Sequence, residues 1–488
     1  MTSLAEALLT IRETAPTIVI LGLVAFQISV LAVLVFFPYL PDPGLAYLNT
    51  SVYVLLAPLS TLFLLGLLYT WLTRLGTRAA VRRSVSFKSF LQFLSGPFRN
   101  LISSVRSVSL SDAARGFKIL SHPKLMLAIS LFVSSLLAFV PYRPDLNPSG
   151  TLVGIDSPTY VNWINQMLQR PLLQALQYSF VEGLDGSRPL LLIALYLVAS
   201  TGISPSLIIQ YLPMLLAPLL SLSSYIFVRF GQGSASLAGL TALFTSTSFY
   251  ITVGMWGGYY ANMLGMIEAY LFLTFLLLFS KSPSAERYGA MFALSVALFL
   301  THPWTWVLIA SVCLVFAVSL WRETGHSIHL RSMVGIIVAG IVLDVLKSSV
   351  FATRTVAVDL ATKVPTTGQV ASFWTNLVDA LLYTHGGLLG NWLVLGLGLL
   401  SVFALRFKDR FERLLILWVG VASVPFLLLD SYHQARIVYD LPIPVLGSVA
   451  VLFFLPQMGT RNIRWPGLLI ILLLVLSENY ALQSILFL

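Results

Sequence analysis

Apolar runs of roughly 20 residues recur thirteen times along this chain, at 17–38, 51–72, 124–141, 206–229, 235–251, 260–280, 286–301, 304–321, 332–347, 387–405, 413–430, 441–457 and 466–486. A helix of that length crosses a hydrocarbon core about 30 Å thick, and in that medium the backbone must satisfy its own polar groups. The chain is therefore expected to be an all-α polytopic membrane protein of about thirteen transmembrane helices. The runs are continuous and not alternating, which excludes a β-barrel. Composition agrees, with 57% hydrophobic residues and only 10% charged, against about 25% charged in a soluble domain.

Charge sets the orientation. Residues 73–124 hold ten Lys or Arg (74, 78, 82, 83, 88, 99, 106, 115, 118 and 124) against one acid, Asp112, which places this loop in the cytoplasm by the positive-inside rule. Within it, the amphipathic stretch Phe87–Val105 reads either as a segment resting on the anionic inner leaflet or as a solvated linker. The third span then delivers Pro141 to the outside.

Leu190–Thr201 is apolar but twelve residues long, about 18 Å as a helix, too short to cross. Read as an outer-interface helix, it leaves the basic turns at Arg229, Lys281–Arg287, Arg322–Arg331, Arg406–Arg413 and Arg461–Arg464 all cytoplasmic. The extracytoplasmic loop 142–205 then carries Asp145, Asp156, Glu182, Asp185 and a second surface helix at Tyr160–Arg170. Further outer-face pieces are Met255–Met263, Thr301–Trp306, Phe351–Thr375, Tyr383–Asn391 and Asp430–Leu441.

Several function classes drop out. The net charge of +10 collects in short loops beside apolar spans, so it is a topology signal and nucleic acid is not an expected partner. The single cysteine, Cys313, lies inside an apolar run, which excludes a disulfide framework and a Cys/His zinc motif. P-loops, dinucleotide fingerprints and H-E-x-x-H are absent. The N-terminus carries acids before its apolar run and has no small-residue cleavage site, so it reads as a retained anchor.

Three stretches carry a resemblance. Leu192–Met263, ending in GMWGGYYANM, is similar to the membrane module of oligosaccharyltransferase catalytic subunits: an outer helix, a span with a polar cytoplasmic turn, a small-residue span, and a G-Y-Y loop. The preceding GIDSPTYVNW resembles that family's first-loop acid followed by an aromatic, and RIVYDLP (Arg436–Pro442) its Arg, Tyr and Pro at the mouth of a late span. The broader group is the GT-C fold of polyprenyl-phosphate-dependent glycosyltransferases. The likeness covers roughly residues 124–457, and residues 1–123 would form an added two-span anchor and basic loop before a GT-C-like module at 124–488. Three departures stand out. Ala261 and Asn262 replace the acids expected after G-Y-Y, a W-W-D motif is absent, and no large soluble domain follows the last span.

The resemblance implies transfer of a sugar from a polyprenyl (di)phosphate to a lipid, glycan or protein acceptor on the extracytoplasmic face of the cell membrane. Asp156 would be the general base that takes the acceptor's proton. The same residue, followed by Ser157-Pro158, is also a good helix cap. Arg436 and Tyr439 would hold the donor phosphate, which a guanidinium matches with paired donors; a snorkelling interfacial cation is the other reading of Arg436.

Tyr259, Tyr260, Glu268, His302, His385 and His433 are candidates for the substrate cavity. The three histidines fall at outer-face turns, and Glu268, like Asp344, sits within an apolar span where a lipid-facing charge is costly. The same residues serve also as interfacial or helix-end groups. No cofactor is implied, and with Ala261 and Asn262 in place a divalent metal is not expected to be obligatory. Two other classes remain open: a transporter or flippase for a lipid-linked glycan or anion, with Glu268 and Asp344 on its pathway, and a structural subunit of an envelope complex.

Overall fold

The computed structural model describes residues 122–181, 186, 188–363, 398, 401–402, 405–428 and 431–454, with isolated positions at 21–29 and 471–481. The predicted spans at 17–38, 51–72, 387–405 and 466–486 therefore lie largely outside the described residues. Among those described, every regular element is a helix. Six stretches are long and apolar enough to cross a membrane: Pro123–Tyr142, Pro205–Gly231, Ala235–Trp256, Tyr260–Lys281, Pro303–Thr324 and Ile328–Phe351.

In chain order the helices are α1 (Pro123–Phe139), α2 (Ser157–Leu168), α3 (Leu172–Val181), α4 (Pro189–Ala199), α5 (Pro205–Gly231), α6 (Ala235–Ser246), α7 (Phe249–Trp256) and α8 (Tyr260–Lys281). There follow α9 (Ala285–Thr301), α10 (Pro303–Thr324), α11 (Ile328–Phe351), α12 (Val356–Lys363), α13 (Arg410–Leu428), α14 (Ser431–Tyr439) and α15 (Ile443–Phe454). The second half of the 235–251 span and its flank differ from expectation. The chain breaks at Thr247–Ser248, where the Ser248 hydroxyl accepts from the Tyr250 amide at 3.3 Å and starts a new helix. The outer-face pieces Met255–Met263 and Asp430–Leu441 are largely helical where described, and at Thr301–Trp306 a single extended residue, His302, separates α9 from α10.

α5 is the hub, packed against α1, α6 and α8. Small residues let these helices approach closely, as is usual where lipid supplies no hydrophobic drive between helices. A Cβ at Gly239 of α6 would sit 3.2 Å from Met126 and 3.3 Å from Pro123 of α1. The Ser224 and Thr245 hydroxyls join α5 to α6 at 2.9 Å. α6 and α7 form the most enclosed span and α11 the least, with Val338, Ile341, Val345 and Val350 of α11 exposed.

The bundle has two chemically different ends. At one, Lys281 Nζ donates to Gly231 O at 2.9 Å, Arg410 donates to Ser280 O, and Arg413 pairs with Glu323 at 2.5 Å. At the other, Tyr142 OH accepts from Val153 N at 3.1 Å, Thr305 bonds Asp440, and Phe180 stacks on Phe351 at 4.7 Å. α1 runs from the first end to the second, while α5, about 40 Å long, runs back. The whole segment α2–α4 therefore starts and finishes at the second end, and the eleven-residue α4 does not traverse the bundle.

That arrangement has a direct test. Cysteines at Ser149 and Ser204, both exposed, are expected to react with an impermeant thiol reagent from the same side of the membrane. Gly186 is unsuitable for the purpose, because its φ of +69° and the close Phe180 carbonyl leave no room for a side chain. Labelling of the two positions from opposite sides would show that α4 crosses and would invert every later loop.

Candidate functional site

The loop carrying Asp156 is stitched to the turn between α7 and α8. Ile155 N donates to Trp256 O at 2.9 Å and Asp156 N to Gly257 O at 3.3 Å. Two glycines permit the approach. Gly154 has φ +103° with Met255 O where its Cβ would be, and Gly258 has φ +67° with Asp156 Cβ 3.0 Å from where its own would be. Ser157 Oγ then meets Tyr260 OH at 2.6 Å, tying the start of α2 to the start of α8.

Asp156 occupies the N-cap position of α2, yet its side chain makes no capping hydrogen bond. The carboxylate turns instead toward Arg188, with Oδ2 4.0 Å from a guanidinium nitrogen, and keeps a third of its surface exposed. Arg188, at the start of α4, is 3% exposed. It donates to Tyr160 OH at 2.6 Å, and its guanidinium carbon lies 5.7 Å from that ring's centroid. Burial pushes the Tyr160 phenol up, and the Arg188 charge opposes this. A cation this enclosed is held by one phenol and one carboxylate among the described residues, which leaves part of its fork for a further acceptor.

The other half of the site comes from α14 and the turn after it. The Arg436 guanidinium lies 5.3 Å from the centroid of Tyr259, the residue after Gly258. Tyr439 packs edge-on to Tyr259 at 5.9 Å and donates its hydroxyl to Tyr250 O at 2.7 Å, in the space that Gly254 leaves open. Tyr250 donates in turn to Leu441 O, so α7 grips both sides of Asp440. Asp440 is buried; its Oδ2 accepts from Thr305 Oγ1 at 2.8 Å, and its amide donates to Arg436 O one helical turn earlier.

His302 lies between the halves. Its Nδ1 is 2.8 Å from Thr305 Oγ1 and caps α10 by accepting from Thr305 N at 3.3 Å, while Gly265 of α8 allows its Cβ to approach. Burial, then the charges of Arg188 and Arg436, hold the imidazolium form well below the usual histidine range. Burial likewise pushes the Asp440 carboxyl up to about 7, against the Thr305 hydrogen bond and the Arg436 charge. The two arginines thus act on one neutral imidazole from opposite halves of the site.

Of the residues singled out in the sequence, Asp156, Tyr259, Tyr260, His302, Arg436 and Tyr439 converge on this end of the bundle. Glu268 is buried one layer away, where Oε1 accepts from Thr301 Oγ1 at 3.0 Å and Oε2 has no partner. Asn262, in the place of an acid, is buried with both amide atoms unpartnered. His433 is on α14, where only its backbone is described, and His385 lies outside the described residues. Asp344 is 3.6 Å from Lys347 and accepts from Val356 N at 2.8 Å, a structural pair separate from Glu268. Among the described residues no group of three or more His, Cys, Asp or Glu is placed to hold a metal.

Sequence reasoning missed Arg188, Thr305 and Asp440. Arg188 stands out only as one of few basic residues in the first outer loop, and Asp440 only as an acid directly after Tyr439. Comparison with models of protein families and with curated proteins found no match to this chain.

Proposed function

We propose that this is a membrane glycosyltransferase with a GT-C-like core that moves a sugar from a polyprenyl phosphate or diphosphate to a hydroxyl or amide acceptor on the extracytoplasmic face. What supports the reading is one observation: a partly exposed carboxylate, Asp156, and two guanidiniums, Arg188 and Arg436, are brought from three distant segments to one pair of interlocked loops. A phosphate leaving group needs cations, and an acceptor needs a base nearby.

In this mechanism Asp156 accepts the acceptor's proton as the acceptor atom bonds to the anomeric carbon. The bond from that carbon to the phosphate oxygen breaks on the opposite side, and its electron pair leaves on the phosphate, held by the Arg436 fork. Displacement in line inverts the anomeric centre. Tyr259 keeps the guanidinium plane in place by stacking, and Tyr439 braces Tyr259. A carrier has weaker support, because Asp344 is engaged with Lys347 and does not join Glu268 on one polar path.

Reconstituted protein supplied with labelled polyprenyl-phosphate and polyprenyl-diphosphate sugars should transfer label to a lipid or glycan acceptor. A chelator is expected to leave most of that activity, since no acid follows G-Y-Y. Complete loss restored by a divalent ion would make Asp156 a metal ligand, and flux of intact donor without transfer would favour the carrier.

A further inference from the structure

Asp440 takes no part in the transfer step above, yet it is the most enclosed acid of the site. One of its oxygens accepts from Thr305, and the other, Oδ1, is buried with no hydrogen-bond partner. A carboxylate left in that condition loses most of its hydration without replacement, whereas a carboxylic acid tolerates it. The neighbours can accommodate either form. When Asp440 is ionised, the Thr305 hydroxyl donates to Asp440 and His302 Nδ1 accepts from the Thr305 amide. When it is protonated, its O–H can donate to Thr305 Oγ1, whose hydroxyl then donates to His302 Nδ1, with the imidazole proton on Nε2. Thr305 and Asp440 exchange donor and acceptor roles between the two forms, while His302 Nδ1 keeps the Thr305 amide in both.

Asp440 also follows Arg436 by one helical turn, its amide bonded to the Arg436 carbonyl at 3.0 Å. An anion held by that guanidinium and an ionised Asp440 would be two like charges one helical turn apart, the second of them buried. We propose that Asp440 is a positioning residue that couples anion binding to proton uptake: the phosphate of the donor binds at Arg436 as Asp440 takes up a proton, and release of the phosphate returns it. The inference rests on the assignment of Arg436 to phosphate.

The sign follows from the groups around it. Burial pushes the Asp440 carboxyl up to about 7. A bound anion raises that value further, so no proton is taken up well below pH 7 and close to one is taken up above it. Other groups facing Asp440 stay fixed across this window. His302 is held neutral, and burial pushes the Tyr439 phenol well above the usual range.

A short isoprenyl methyl phosphate diester is a suitable probe, because its single negative charge does not titrate between pH 5 and 9. Calorimetry of its binding to the reconstituted full chain, in buffers of different ionisation enthalpy, should show about one proton taken up at pH 8.5 and almost none at pH 5.5. The Kd should rise by roughly tenfold per pH unit above pH 7 in the native chain. In Asp440→Asn, which keeps an acceptor for Thr305 and cannot ionise, it should vary by no more than about twofold. Binding with no proton uptake, or the same pH dependence in Asp440→Asn, overturns the coupling and leaves Arg436 as the phosphate holder. Absence of binding at every pH overturns that assignment and the coupling with it. The proton count on the native chain decides the matter even if the variant fails to fold.

Discussion

Asp156→Asn is expected to lower turnover by about 10²–10⁴-fold, the usual worth of a general base, while donor Kd changes little. The substitution keeps the size of the side chain and removes its charge, and the ion contact it alters is the one to Arg188. Asp156 sits at the N-cap of α2 without capping it, and its backbone bond to Gly257 is independent of the side chain. Arg188 loses an ion partner 4.0 Å away but keeps Tyr160 OH at 2.6 Å, so its position should hold. Unchanged thermal unfolding together with lost transfer would place the defect in the reaction. Near-normal transfer by Asp156→Asn would remove the base from the mechanism. The capping role weighed for this residue fails on the same geometry, since an Asp that caps must point its carboxylate at the first turn, and this one points at α4.

Why the sequence singles out Asp156 and passes over Arg188, which the fold sets beside it, is a matter of range. Asp156 is read from local signals: a polar loop after a basic segment, then Ser157-Pro158 and a helical pattern that materialises as α2. The same locality serves the long spans. Apolar length alone predicts 206–229, 260–280 and 304–321, and the helices are Pro205–Gly231, Tyr260–Lys281 and Pro303–Thr324. It also predicts that 190–201 is too short, as the eleven-residue α4 is. The break at Thr247–Ser248 escapes that kind of reading, because it turns on one hydroxyl competing for a backbone amide inside a run that is apolar on average.

Arg188 depends on Tyr160, 28 positions earlier, and Asp440 on Thr305, 135 positions earlier, so neither role exists until the chain is folded. The short apolar α4 is what carries Arg188 into the interior, and an ionisable residue placed just before a surface helix reads from sequence as exposed. Asp440 is hidden by its neighbour. In RIVYDLP the Arg and Tyr carry the resemblance, while the burial of the Asp follows from Tyr250 and Tyr439 closing over it.

Replacing Arg436 tests the second half of the site, and Gln and Lys should fail differently. Arg436→Gln removes both charge and fork, so kcat/KM is expected to fall by about 10²–10³-fold, the cost of withdrawing one preorganised stabiliser from developing charge. Arg436→Lys keeps the charge but not the planar, two-pronged contact or the stacking on Tyr259 at 5.3 Å, so it should weaken donor binding more than it slows turnover. Combining Arg436→Gln with Asp156→Asn makes the decisive comparison. If base and phosphate holder act on one transition state, the double variant should be far less impaired than the product of the two single losses, because once either is gone the other has little left to stabilise. Losses that multiply in full would mean that Asp156 and Arg436 act independently, and the interlocked loops that join them at Gly257–Tyr259 would then serve the fold and not a shared reaction.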